Sequence, residues 1–443
     1  MNNIFRQKEE GHDSKKPFFQ RKLSKEKERE RSKAMMAVRK RLGRFFQPNQ
    51  FLGTRNSIGC VSVEISQRCN LSCSLCYLSE NSNQVTDLPL AEIFQRLEKV
   101  RRNFGIGTNV QISGGDPTMR DRVELVQIVR YARCLGLNPS LLTNGMLCSR
   151  NLLAELCENG LSDVAFHVDM TQKRKGYSSE EELNAIRLEY IERTRGLPLM
   201  VMFNTTIFTD NFHELPGLIR FFIDQSDFVG MASFQIQADT GRGELKGRPG
   251  FVNLQSVREQ INLGAGSELP WDVILVGHPQ CQSYAPALAV NGKAFGLMDD
   301  TKLFASFLKE FGDVMHDRRR SSLFIAWSYF KIMLRKPLWL LGALQFVLRK
   351  LWHIRNDLLA AGGKARSISF MVKNFMHADH LDRERIDACA FMVMTPDGPM
   401  SMCEHNAKRD DYILRPLEVK NDNGIEIFYP LSNKEKLTKE SIA

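Results

Sequence analysis

The chain has 443 residues, 43% of them hydrophobic and 25% charged, which excludes a wholly disordered or fibrous protein. Its 61 Lys and Arg against 51 Asp and Glu give a formal charge of +10, but that charge is local. Residues 1–50 carry +9 and residues 316–355 carry +8, leaving −7 for the rest, so a globally basic nucleic-acid binder is disfavoured and no nucleic-acid partner is expected.

Residues 1–55 read as a basic lead-in. Its run KEKERERSK (25–33) mixes signs and favours a helix with little to bury, which suits a solvated or partly disordered segment. No apolar core or cleavage site opens residues 1–50, so no secretory signal is expected. From Ser62 the texture changes to short β-rich runs alternating with amphipathic ones. Strands are predicted at 61–66, 109–113, 139–143, 163–169, 199–207 and 232–237. Helices are predicted between them at 90–104, 122–135, 150–159, 179–195 and 211–225. This alternation predicts a parallel α/β barrel or partial barrel over residues 56–245, with chemistry at the C-terminal ends of its strands. Residues 246–443 form a C-terminal region, irregular over 240–300 and then helical, aromatic and basic over about 302–360. Pro337 should divide that insertion into two helices. No stretch reaches the ~18 uncharged apolar residues of a membrane span. A cytoplasmic protein is expected, with residues 316–355 suited to a buried helical hairpin or to peripheral contact with an anionic membrane at its inner face. Nucleic-acid binding fits the charge of this segment but not its apolar stripe.

The ten cysteines are unevenly spaced, and three fall within eight residues, which suits metal binding in a reduced compartment better than disulfides. Cys69, Cys73 and Cys76 form a C-x3-C-x2-C loop directly after the first predicted strand. Three thiolates on one loop can hold three irons of a [4Fe–4S] cube and leave the fourth iron open. Structural zinc prefers four protein ligands, and buried unligated thiols are the other alternative. Gly114, Gly115, Asp116 and Pro117 follow the second strand. A turn explains them alone, although glycines also admit a close ligand, and backbone and carboxylate acceptors can hold an ammonium group. Asn144 ends the third strand in a Thr-Asn-Gly turn. His167 and Asp169 share one face of the fourth, as cofactor contacts, substrate contacts or a salt-linked pair. Asn204 and Thr206 are weaker candidates. Arg242, between two glycines, can reach a carboxylate or phosphate, but a surface turn is the preferred reading.

These motifs resemble the radical S-adenosylmethionine (radical SAM) superfamily over about residues 61–237. The resemblance implies a partial (β/α)6 barrel with a [4Fe–4S] cluster on Cys69, Cys73 and Cys76. S-adenosyl-L-methionine (SAM) would bind its open iron and be cleaved reductively to a 5′-deoxyadenosyl radical that abstracts hydrogen from substrate. Contacts to SAM are implied at Tyr77, Gly114, Gly115, Asp116, Pro117, Asn144, His167 and Asp169, and a reductant such as flavodoxin or ferredoxin as partner. Two positions depart from the pattern: Leu75 stands where an aromatic is common, and Asp116 where the family has Glu. Downstream, Cys281 in His278-Pro279-Gln280-Cys281, then Cys389 and Cys403 around a Pro396-Asp397-Gly398 turn, resemble a branch that includes tetraether lipid synthases and methanopterin-modifying methyltransferase-like proteins. That resemblance implies a second, auxiliary [4Fe–4S] cluster on Cys281, Cys389 and Cys403, with His278, His405 or substrate as fourth ligand. Unligated cysteines are the alternative there, and Cys60, Cys134, Cys148 and Cys157 read as packing residues. The expected substrate is a lipid or other apolar chain. A methyltransferase or a peptide or small-molecule modifier is the alternative enzyme, and an iron–sulfur or zinc scaffold the non-enzyme one.

Overall fold

A computed structural model describes residues 25–243, 247–314, 322–421 and 424–431. The lead-in before Lys25 and the Arg318-Arg319-Arg320 run therefore lie outside the described residues. Helix α1 (Lys25–Leu42) buries Ala34, Val38 and Leu42, which recur every four residues on one face. The run 25–33 is largely exposed, as its sequence suggested, and burial begins at Ala34. Arg39 donates to the Gly53 carbonyl at 2.6 Å and Arg41 to the Cys389 carbonyl at 2.6 Å, tying the lead-in to the body.

The predicted alternation is present. In chain order run β1 (Cys60–Ser66), α2 (Leu90–Phe104), β2 (Asn109–Gly114), α3 (Arg122–Cys134), β3 (Asn138–Thr143), α4 (Arg150–Glu158), β4 (Asp163–His167), α5 (Asn184–Thr194), β5 (Met200–Ile207), α6 (Leu215–Asp224) and β6 (Val229–Ile236). All six strands are parallel and lie in sequential order. Alternate residues explain the layering. Val61, Val63 and Ile65 pack under the helices, while Ser62, Glu64 and Ser66 face the other way. Phe166, Phe203, Phe222 and Phe234 carry the same core along, each burial contributing about 1.5–3 kcal/mol.

Residues 240–300 are more ordered than their composition suggested. They contain α7 (Leu254–Ala265), whose Asn253 caps its first turn, and the strands β7 (Gln282–Val290) and β8 (Lys293–Gly296). The insertion is helical, with α8 (Thr301–Phe311), α9 (Ser322–Met333) and α10 (Pro337–Ala360), and Pro337 starts the last of these at N1. Then come β9 (Arg366–Asn374), α11 (Arg383–Asp387), β10 (Phe391–Thr395), β11 (Gly398–Ser401), α12 (Met402–Ala407), α13 (Arg409–Ile413) and a small hairpin of β12 (Leu417–Asn421) and β13 (Gly424–Phe428).

The late strands join the same sheet, giving the order β11-β10-β1-β2-β3-β4-β5-β6-β9-β7-β8. In a flat sheet β9 and β10 would be far apart. Instead Lys373 of β9 places its Nζ 4.4 Å from the ring centre of Phe391 of β10. The sheet therefore curls until its flanks meet, as a barrel requires.

Candidate metal centre

Cys69, Cys73 and Cys76 sit on the loop that leaves the C-terminal end of β1, and all three are free thiols. The loop is braced on every side. Asn83 Oδ1 accepts from the Cys69 backbone N–H at 3.1 Å, and Ser74 N–H donates to the Thr171 carbonyl at 2.8 Å. Arg68 pairs with Asp87 at 2.5 Å. Burial pushes the Cys73 and Cys69 thiols above their usual range, helped by the charges of Asp169 and Asp116 respectively and by the neighbouring thiols. Iron held there would reverse that preference, because a coordinating thiol is deprotonated.

The ends of the next strands close on this loop. Gly114 has φ 122°, and a Cβ there would stand 1.9 Å from the Ser66 carbonyl oxygen. A Cβ on Gly115 would stand 2.1 Å from the Arg68 oxygen. Only glycine lets the β2 end press this closely on the cysteine loop. Asp116 is tied into the scaffold by its neighbours. Its carboxylate is 1% exposed and already accepts from Thr143 Oγ1 at 2.9 Å, Asn144 N–H at 2.8 Å and Thr118 N–H at 2.9 Å. It is a strut that locks the β2 and β3 ends together, and Pro117 behind it opens a short 3-10 turn. Asn144, so held, donates to Asn70 Oδ1 at 2.7 Å and lies 3.9 Å from Cys69 Sγ. His167 ends β4, and the strand stops there rather than at Asp169. Asp169 instead caps the following turn, with Oδ2 2.6 Å from His167 Nε2 and 2.8 Å from the Thr206 N–H that it accepts. Burial disfavours the charged imidazole, but the Asp169 carboxylate outweighs it and holds the His167 pKa above its usual value. Asn204 and Thr206 follow on β5, and Thr206 Oγ1 lies 3.4 Å from the same imidazole nitrogen.

Residues 63–222 match the family model described as the radical SAM superfamily. The chain carries a radical SAM domain. Over 214 residues it is 31% identical to a 7,8-dihydro-6-hydroxymethylpterin dimethyltransferase of Methanocaldococcus jannaschii, covering 45% of this chain and 42% of that one. A PqqA peptide cyclase of Bradyrhizobium diazoefficiens is 30% identical over 182 residues, covering 40% of this chain and 46% of the cyclase. The chain thus spans less than half the length of these curated relatives. Among solved structures, Streptococcus suis SuiB bound to precursor peptide SuiA aligns at a TM-score of 0.38 and 16% identity, covering 46% of this chain and 45% of that one. The radical SAM domain is an α/β domain of SAM-dependent iron–sulfur enzymes, and the cysteine loop has the donor set that such a cluster takes.

Two supports of this domain were not visible in the sequence motifs. The Gly241-Arg242-Gly243 segment is a turn, exposed at Gly241, that also packs on the cysteine loop. Arg242 N–H donates to the Leu78 carbonyl at 2.7 Å and its guanidinium to the Leu71 carbonyl at 3.2 Å. The second support is Arg409 of α13. Its guanidinium donates to Glu64 Oε2 at 2.8 Å and to Gln67 Oε1 at 3.1 Å, and stacks 4.7 Å from the Tyr77 ring centre. Tyr77 in turn donates from its hydroxyl to the Gly114 carbonyl at 2.5 Å. Tyr77 therefore links the cysteine loop to the β2 end.

Cys281, Cys389 and Cys403 line one small cavity with Lys373, Met376 and Arg385. The 396–398 turn forms the predicted hairpin between β10 and β11, but Cys389 and Cys403 sit at its open end. Arg385 Nε donates to Cys281 Sγ at 3.3 Å and Met376 N–H to Cys403 Sγ at 3.4 Å, while Cys389 donates to the Phe391 carbonyl at 2.9 Å. Burial pushes the Cys403 thiol up to about 12. Neither histidine suggested as a fourth ligand lines this cavity. His278 packs on Phe45 with ring centres 4.3 Å apart, and His405 lies against Tyr412. Among the described residues no three His, Cys, Asp or Glu side chains close tightly enough to grip a single ion. A cubane spreads its thiolates over several irons, so an open triad suits it better than one ion.

Proposed function

We propose that this chain is a radical SAM enzyme that abstracts hydrogen from an unactivated carbon of a lipid or other apolar substrate. The observation that carries the reading is the triad Cys69, Cys73 and Cys76 on a loop pressed against Gly114, Gly115 and Asn144. When bound, the cluster and SAM supply a 5′-deoxyadenosyl radical, with the electron drawn from a donor such as flavodoxin or ferredoxin. The chain's own residues do the rest. The glycines at 114 and 115 bring the β2 end against the cysteine loop, where backbone acceptors would receive an ammonium, and the His167–Asp169 pair offers a fixed polar edge from β4. Asn204 and Thr206 continue that edge along β5. Cys281, Cys389 and Cys403 would hold an auxiliary [4Fe–4S] cluster. The barrel at residues 56–245 would carry the reaction, and residues 246–443 the auxiliary site and the apolar insertion, in the cytoplasm.

The names of the relatives favour a second reading, in which the substrate is a pterin-like molecule or a peptide and the reaction a methyl transfer or a cyclisation. Anaerobic reconstitution with SAM and dithionite separates these from a scaffold role. Release of 5′-deoxyadenosine or its substrate adduct, lost in Cys73→Ala, is the expected result. Bound zinc with no SAM turnover would overturn the enzyme.

A further inference from the structure

The hairpin of α9 and α10 concentrates the exposed apolar side chains of the described residues. Of 23 exposed large apolar side chains among the described residues, 11 fall between Phe324 and Leu359. On α10 they recur as Leu338, Leu341, Leu344, Leu348, Trp352 and Leu359, spacings that keep one face along the helix. With 24 residues the helix is about 36 Å long, and Leu338 is 85% and Trp352 69% exposed. The opposite face is docked. Trp339 meets Phe311 edge-on at 4.8 Å and donates to Ser306 Oγ at 3.1 Å, Ile354 is buried, and Asp357 accepts from Lys293 at 3.1 Å. The bare face is thus fixed in orientation by the body of the protein.

Its charge is of one sign. Asp357, on the docked side, is the single acid between Ser322 and Ala360, against six Lys and Arg. Lys331, Arg335 and Arg355 are exposed and have no acidic partner among the described residues. Lys331 Nζ lies 5.4 Å from the Trp327 ring centre, and the Arg355 guanidinium 4.3 Å from that of Trp352. Cations beside tryptophan, along a leucine-rich stripe, match the headgroup boundary of a bilayer. No helix among the described residues is long and apolar enough to cross a membrane.

We propose that the α9–α10 hairpin is a docking surface for an anionic lipid bilayer. Its leucine stripe lies at the boundary of headgroups and acyl chains, and Lys331, Arg335 and Arg355 meet the lipid phosphates. The inference rests on exposure and charge, so it stands or falls separately from the catalytic reading. Flotation of the intact chain with vesicles tests it, using phosphatidylcholine alone and an equal mixture with phosphatidylglycerol. The chain should float with the mixed vesicles and come off as salt is raised. Leu341→Ser with Leu348→Ser and Trp352→Ser should cut the bound fraction about tenfold or more without shifting the unfolding midpoint. Lys331→Gln with Arg335→Gln and Arg355→Gln should abolish the preference for the anionic vesicles. An intact chain that floats with neither vesicle overturns the proposal, as does binding that both variants leave unchanged. So does a dimer that the leucine variant splits in a chain that binds no lipid.

Discussion

Glu64 points from β1 into a place with almost no water, and its charge is kept by Arg409, 345 positions later in the chain. Burial alone would raise its pKa. The Arg409 guanidinium, with its hydrogen bond, outweighs burial and brings it to about 2. His405 beside them is driven down to about 4 by burial and stays neutral at pH 7, so the charge here belongs to the Glu64–Arg409 pair. A carboxyl depressed in the fold stabilises it above its unfolded pKa of 4.5, and that contribution is lost as pH falls from there towards 2. Arg409→Met should therefore lower stability by about 3–5 kcal/mol, since it strands a buried carboxylate. Adding Glu64→Gln to it should recover much of the loss and flatten the acid limb of an anaerobic unfolding curve. If the single variant unfolds like the parent at neutral pH, Arg409 is not what holds Glu64 ionised. Because Arg409 also stacks on Tyr77, its loss should loosen the cysteine loop as well, read as less iron per chain.

At the scale of elements, the cysteine loop owes its shape to backbone packed on backbone. Gly241 has φ 63°, and a Cβ there would stand 2.4 Å from the Tyr77 carbonyl carbon. A Cβ on Gly243 would stand 2.6 Å from the Cys76 nitrogen. Gly243→Ala should reduce reconstituted iron while the far-UV circular dichroism of the barrel stays unchanged, because the clash is confined to the loop. Full iron loading in that variant would show the loop to be more forgiving than its packing. This segment marks where sequence reading stops. The strand–helix alternation from Ser62 to Ile236 is written in local periods of two and 3.6, and its boundaries come out within a few residues. The motifs at 69–77, 114–117 and 167–169 are short-range as well. Gly241 looks like any surface turn because its partners lie some 160 positions earlier. Strand β7 was hidden for a different reason. Ala285, Ala287 and Ala289 are its inward set, and alanine with a proline among them carries little strand signal. Asp116 shows the same limit within a recognised motif, since its type suggested a ligand contact but not that Thr143, Asn144 and Thr118 all donate to it.

For the whole molecule, the position of the second cysteine set matters more than its composition. Cys281 precedes β7, next to β9 on one flank of the sheet, whereas Cys389 and Cys403 flank the β10–β11 hairpin on the other. They share a cavity only because the sheet has curled. The seam is otherwise crossed by modest contacts such as Lys373 on Phe391 and Arg385 on Cys281. A ligand held by thiols from both flanks would clip the barrel shut, and anything that binds the closed form alone adds to its stability. The auxiliary cluster proposed above therefore makes two linked predictions. Reconstituted chain should carry about eight irons, and Cys281→Ser, Cys389→Ser or Cys403→Ser should each leave about four, since cubane clusters assemble or fail as units. The same variants should lower the unfolding midpoint of the reconstituted chain while 5′-deoxyadenosine release persists, because Cys69, Cys73 and Cys76 lie on a different loop. About four irons in the parent, with a midpoint indifferent to the three serines, would mean that the seam is held by packing alone and that these cysteines bind no metal.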